Sequence, residues 1–276
     1  MSPMDRQHDW LDLDALGALL RFPLHGKAAQ NRFLVGSGLL LVGMFIPLLP
    51  AIVVYGYLLR LMRGVMRGGP LELPSWESLG ELFGDGLKTM VVAFAYLLPG
   101  TLAMLAGMVA YFVAGPFSML VLRPGGRLDE AEAATFVLAL FGGMALMFIG
   151  LSLGFFLSFL GAVPLPAALA RLADSGRLGD AFQLRTLWRL IGAQRWRYFA
   201  AWVVLMGVVG IVYIGYTLIY FTWILCAVAL FFLAPAMFYA LTIGAAVFGR
   251  FYAQSGAPLT ASTPVVSTGS EGDPVL

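Results

Sequence analysis

Charge is scarce in this chain: of 276 residues only 12% are Asp, Glu, Lys or Arg, and histidine occurs twice. Soluble domains carry about 25% charged residues, so this chain cannot clothe itself in a polar surface. The shortage is also local. No Asp, Glu, Lys, Arg or His falls within 33–59, 89–122, 133–170 or 198–249. A proton- or ion-coupled carrier needs carboxylates or histidines at membrane depth, and these runs supply none. The single cysteine, Cys226, excludes an intrachain disulfide and reads as a small buried hydrophobe. His8 and His25 both precede the first apolar run, without the companion ligands that a zinc site needs. There is no GxSxG elbow, Walker-type loop or HExxH. No catalytic, cofactor-binding or metal-binding residue is assigned, no cofactor is expected, and the protein is expected not to be an enzyme.

What the chain does contain is apolar length. Hydrophobic residues make up 60% of it, and the mean hydropathy is +0.87. A bilayer core about 30 Å thick is crossed by about 20 apolar residues as helix, and 198–249 is long enough for two crossings. The runs are continuously apolar rather than alternating, which excludes a membrane barrel. The first 32 residues include Asp5, Asp9, Asp12, Asp14, Arg21 and Lys27 and do not have the pattern of a cleavable signal peptide.

The runs group into hairpins. In 198–249 the aromatic cluster Tyr213, Tyr216, Tyr220, Phe221 and Trp223 suits a membrane interface and predicts an outer turn near 216–222, between helices of about 199–217 and 222–248. Runs 89–115 and 134–162 form another pair, joined through Arg123–Arg127. The second of these helices is expected to start at an Asp129 N-cap followed by Glu130 and Glu132. Gly150, Gly154 and Ser158 give it a small-residue face for close packing. In 33–59, Pro47 and Pro50 interrupt the helix. The run either spans with tilt or folds at 46–50 into a short or re-entrant hairpin with arms of about 13 residues.

Amphipathic segments at 9–22, 75–88 and 178–194 precede the hairpins and read as interfacial helices or as ordinary loop helices packed on the bundle. Three such units place Lys and Arg on one side as 4 in 1–32, 4 in 60–88, 6 in 163–197 and one at Arg250, leaving only Arg123 and Arg127 opposite. A five-span arrangement with the N-terminus outside divides them more evenly, 11 inside and 6 outside, so the positive-inside rule favours three hairpins. The expected fold is therefore an all-α membrane protein: a helical bundle of three hairpins, with four full transmembrane helices, a short or re-entrant first hairpin and amphipathic interfacial helices. Residues 1–250 form one polytopic domain and 251–276 a disordered tail. Location in the prokaryotic cytoplasmic membrane with both termini cytoplasmic follows. Arg177, Arg185, Arg189, Arg195 and Arg197, interleaved with Trp188 and Trp196, are candidate contacts for anionic lipid headgroups or simply the positive-inside signature. The partners expected are the bilayer, anionic headgroups and other membrane subunits, and not nucleic acid.

One segment is more specific. Across 56–88, Gly56 and Tyr57 with Arg60 and Arg63 close the first apolar run; Leu73, Pro74 and Trp76 follow, then Phe83, Asp85, Gly86 and Lys88. This segment resembles the signature of a prokaryotic membrane family catalogued as domain of unknown function 4013. The resemblance implies a multi-pass membrane protein and brings no activity or cofactor. Pro74 suits the first turn of a helix, Trp76 a headgroup-level anchor, and Asp85 could pair with Lys88, Arg60 or Arg63. Gly56, Tyr57, Arg60, Arg63, Pro74, Trp76, Phe83, Asp85, Gly86 and Lys88 are thus expected to form an elbow between the first two hairpins. The leading functional expectation is a scaffold, accessory subunit or lipid-organising protein. A permease for a small neutral or lipidic solute is the alternative, suggested by Gly100, Gly107, Gly142, Gly143, Gly150 and Gly154. An enzyme acting on lipid would need Asp85, Lys88 and Asp180 in one cleft.

Overall fold

A computed structural model describes residues 13–46, 48–117, 129–221 and 226–255. Every regular element among them is a helix: α1 (Leu13–Arg21), α2 (Lys27–Gly43), α3 (Leu49–Met66), α4 (Leu79–Phe112), α5 (Glu130–Ala162), α6 (Leu165–Ser175), α7 (Leu178–Ala181), α8 (Leu184–Ala193), α9 (Arg195–Phe221) and α10 (Cys226–Gln254). A 3-10 turn over Phe22–Leu24 follows α1, and a π-helical turn over Val113–Phe117 extends α4.

Local chemistry sets the boundaries. α2 and α3 are separated where the prolines predict a break: Pro50 sits in the opening turn of α3, where its missing N–H costs nothing. Leu48, just before it, takes the left-handed backbone region (φ 85°). The arms are 17 and 18 residues long, longer than expected, because α2 recruits 27–32 and α3 continues through Arg60 and Arg63. At α5 the anticipated N-cap is present. Asp129 accepts from the Glu132 backbone N–H at 2.7 Å, and Glu132 accepts from the Asp129 N–H at 3.0 Å. The two side chains thus satisfy donors that the helix itself leaves free.

Five helices among the described residues are long and apolar enough to cross a membrane: Leu49–Met66, Leu79–Gly115, Glu130–Ser175 (which takes in α6), Arg195–Ile219 and Phe231–Gln254. Their burial is uneven. In the most apolar window of α3 and of α10, 61% and 56% of residues are buried; for Glu130–Ser175 and α9 the share is 6%. α3 and α10 therefore form the centre of the bundle, with α4 packed on both α3 and α5, and α9 flanking α10. Tyr57, Leu61, Phe238, Ile243 and Phe251 are fully enclosed at that centre. The flanks present large apolar side chains outward, among them Leu138, Phe141, Phe155 and Phe159 of α5 and Ile211 and Ile214 of α9. In water this surface would be a liability; against acyl chains it is the required one.

α4 and α5 meet through small residues, as the spacing of Gly150, Gly154 and Ser158 predicts. A Cβ built on Gly107 would lie 2.8 Å from the Gly150 Cα, and one on Gly100 2.1 Å from the Ser158 Oγ. Only hydrogen fits at these contacts, which is how helices gain dispersion contact in lipid.

Several expectations are corrected. Segment 75–88 is not a separate interfacial helix: the helix begins at Leu79 and runs unbroken into the span as α4, because Ser78 occupies the left-handed region (φ 61°) immediately before it. Pro74 precedes that point and opens no helix. Segment 178–194 is divided into α7 and α8 at Phe182–Gln183. α9 reaches Phe221 rather than ending near 217, and α10 extends to Gln254 with Phe251 and Tyr252 buried, four residues into the segment expected to be tail. The stretch expected to turn near 216–222 is helical as far as Phe221, and the connection Arg123–Arg127, residues 222–225 and the remaining tail 256–276 lie outside the described residues.

Candidate functional site

The 56–88 motif folds into one place, beginning with two glycines. α3 and α4 run antiparallel, with Ile52 opposite Gly86 and Gly56 opposite Leu82. A Cβ on Gly56 would stand 1.8 Å from the Leu82 carbonyl oxygen, and one on Gly86 1.8 Å from the Ile52 carbonyl oxygen. The two backbones are in direct contact, and any side chain at either position would push them apart.

The loop 67–78 then folds back along α3. The Trp76 indole stacks on the Tyr57 ring, centroids 3.8 Å apart and planes within 9°. The Tyr57 hydroxyl donates to the Pro74 carbonyl at 2.9 Å. The Trp76 indole N–H donates to the Arg32 carbonyl at 2.9 Å, while the Arg32 guanidinium donates to the Leu73 carbonyl. The loop is thereby strapped to the first turns of α2. Phe238 of α10 closes the cluster, 6.0 Å from Tyr57 and 6.3 Å from Trp76; its ring fills the space a side chain at Gly36 would take. Trp76 is thus half-buried in an aromatic joint. Phe83 is 39% exposed and takes no part in the joint.

The charged residues of the motif continue the same joint. Arg63 pairs with Asp85 at 3.0 Å and donates through Nε to the Ala173 carbonyl at 2.8 Å. Lys88 donates to the Gly176 carbonyl at 3.2 Å. Both cations therefore cap the C-terminal end of α6, where carbonyls lack helical partners and the dipole is negative. Arg60 donates to the Glu77 carbonyl at 2.9 Å and pairs with Glu81 at 3.0 Å. Asp85 has thus chosen Arg63 among the partners open to it, and Lys88 reaches a different helix altogether. The third member of the hypothetical catalytic trio, Asp180, is hydrogen-bonded to the Gln183 amide at 2.9 Å.

The second group of candidates lies along α7–α9. Arg177, Arg185, Arg189, Arg195 and Arg197 are all exposed, as are Trp188 and Trp196. Leu187 and Ile191 are buried on the opposite side of α8. The helix is therefore held by one face and offers arginine and tryptophan on the other. Gln194, at its end, donates to the Gln254 carbonyl of α10 at 3.1 Å. Among the described residues no group of three or more His, Cys, Asp or Glu could hold a metal ion.

Sequence reasoning missed two participants. Arg32 and Phe238 lie outside the 56–88 segment, and nothing in their local pattern indicates that the loop would fold onto them. It also missed a cleft of about 560 Å³ between α1, the start of α2 and the loop, lined by Arg21, His25, Lys27, Arg32 and Glu72. The only signal available was the density of cations on either side of Phe22–Gly26.

Five membrane-length apolar helices joined by an internal polar elbow mark a multi-pass α-helical membrane protein. The chain belongs to the family described as Protein of unknown function (DUF4013), whose model matches residues 39–221, more than half its length. No curated protein and no solved structure matches it.

Proposed function

We propose that this protein is a non-enzymatic scaffold of the prokaryotic cytoplasmic membrane, organising anionic lipid or accessory subunits around a bundle of three hairpins with both termini cytoplasmic. One observation carries the reading: the polar side chains of the family motif are engaged in holding helices together. Tyr57, Arg60, Arg63, Trp76, Asp85 and Lys88 each bond to another element of the same chain, so the motif reads as architecture. Five of the six glycines that suggested a permease support the same view, because Gly100, Gly107, Gly143, Gly150 and Gly154 are closed off by the facing helix or its extension, whereas Gly142 has nothing within 4 Å of its Cβ position.

The register of α3 on α4 favours four crossings with a shallow first hairpin. Gly86 lies beside Ile52, so Asp85 and Lys88 flank the N-terminal half of α3. The charge-free part of α4, from Thr89 to Phe112, continues roughly 35 Å beyond that level at 1.5 Å per residue. The α2–α3 tip, with Phe45 77% exposed, then dips into the leaflet instead of crossing it. Arg177, Arg185, Arg189, Arg195 and Arg197 face the headgroups of the cytoplasmic leaflet.

Extraction of the full chain in native-lipid discs tests this. The protein should emerge with anionic lipid enriched around it or with another membrane subunit attached. A bare monomer in lipid of bulk composition would contradict the proposal.

A further inference from the structure

The cleft beside the elbow has a composition that the scaffold reading does not use. Arg21 comes from the last turn of α1, His25 from the turn after it, Lys27 and Arg32 from α2, and Leu71, Glu72 and Leu73 from the loop behind. Three permanent cations and a histidine thus face one carboxylate. None of the four is paired with a described carboxylate, and Arg32 uses its guanidinium on the Leu73 carbonyl. Like charges gathered without partners repel one another, and an anion between them removes that cost. α2 begins on the same wall with Gly26 at its N-cap and no side chain capping it. Its first N–H groups add donors to those of the side chains. A volume of about 560 Å³ lies within the usual size of small-ligand sites. Phe22, Leu71 and Leu73 supply an apolar wall beside the charges.

We infer that this cleft binds a phosphate-bearing anion, with Arg21, His25, Lys27 and Arg32 as its ligands. Phosphate fits better than a lone carboxylate, since three oxygens can share donors arriving from three sides. The four proposed ligands lie at 21–32, before the part of the chain matched by the family model, and the wall at 71–73 lies within it. It is also independent of the α8 arginines and stands whether or not those touch lipid.

The two sources of such a phosphate are a lipid headgroup and a free phosphate ester. The full chain, purified in a non-ionic detergent, is titrated with phosphatidylglycerol and with phosphatidylcholine while bound lipid is counted by native mass spectrometry. Inorganic phosphate is titrated in parallel by calorimetry. Phosphatidylglycerol or inorganic phosphate should bind at one saturable site; the first alone identifies a headgroup, and phosphate itself identifies a free anion. Each surface cation contributes about 1 kcal/mol, so the double variant Arg21→Gln/Lys27→Gln should weaken that binding about 30-fold. Both side chains are exposed, so its melting temperature should match that of the parent. The variant Arg67→Gln, at an exposed arginine outside the cleft lining, should leave the site's affinity unchanged. Equal affinity of the parent and R21Q/K27Q, an equal loss in R67Q, or no saturable binding of either probe would overturn the inference.

Discussion

Gly56 and Gly86 are the residues on which the α3–α4 contact depends most directly, and they separate a steric role from mere helix composition. With carbonyl oxygens of the facing helix 1.8 Å from either hypothetical Cβ, Gly56→Val must force the helices apart. It should cost about 3 kcal/mol or more, at the upper end of overpacking. Gly64, in the same helix, has nothing within 4 Å of its Cβ position, so Gly64→Ala should be neutral or stabilise by up to about 1 kcal/mol through helix propensity. Thermal unfolding of both variants in one detergent compares them; equal shifts would show that the close contact is not what Gly56 provides. The ion pairs divide similarly. Arg63 and Asp85 expose 24% and 17% of their side chains, whereas Glu81 exposes 76%. A double-mutant cycle should therefore give Arg63–Asp85 a coupling of about 1–2 kcal/mol and Arg60–Glu81 well under 1 kcal/mol. Here the sequence was informative about which residues matter but not about who meets whom. Asp85 had three cations within reach on paper, and only the fold-back of loop 67–78, with α6 laid across it, decides for Arg63.

Among the elements, α5 was the most legible in advance. Its N-cap, its acidic first turn and its small-residue face are all local patterns, and each is realised. Asp129→Ala removes one half of the capping box and should lower stability by about 1 kcal/mol, while Asp129→Asn should restore most of it. An alanine variant as stable as the asparagine one would mean that the cap is not stabilising. The interfacial segment 75–88 failed for an instructive reason. Leu79 and Phe83, its expected apolar face, stay exposed, whereas α4's opening turns pack on α3 through Leu82 and Gly86, and Glu81 and Asp85 pair with Arg60 and Arg63. Helical periodicity reports that one face is apolar and does not say which face meets a neighbouring helix.

For the whole molecule, composition alone implies an all-helical membrane protein, because charge-free runs of that length have few other solutions. The burial of α3 and α10 at the centre, and the exposure of α5 and α9 at the flanks, were not legible. Every one of these helices is apolar, and only contact distinguishes a core helix from one facing lipid. The proposed arrangement of three hairpins rests on the count of basic residues and on the α3–α4 register. Its competitor, a single crossing by 33–59, would part Arg32 from Leu73 and Trp76, to which it is bonded. Asn31 is exposed at the start of α2, beside Arg32, whose bonds to Leu73 and Trp76 hold it on the side of loop 67–78, the side proposed to be cytoplasmic. The decisive measurement is labelling of Asn31→Cys, in a Cys226→Ser background, with a membrane-impermeant maleimide on intact cells. The account predicts no labelling until the membrane is permeabilised; full labelling of intact cells would contradict it.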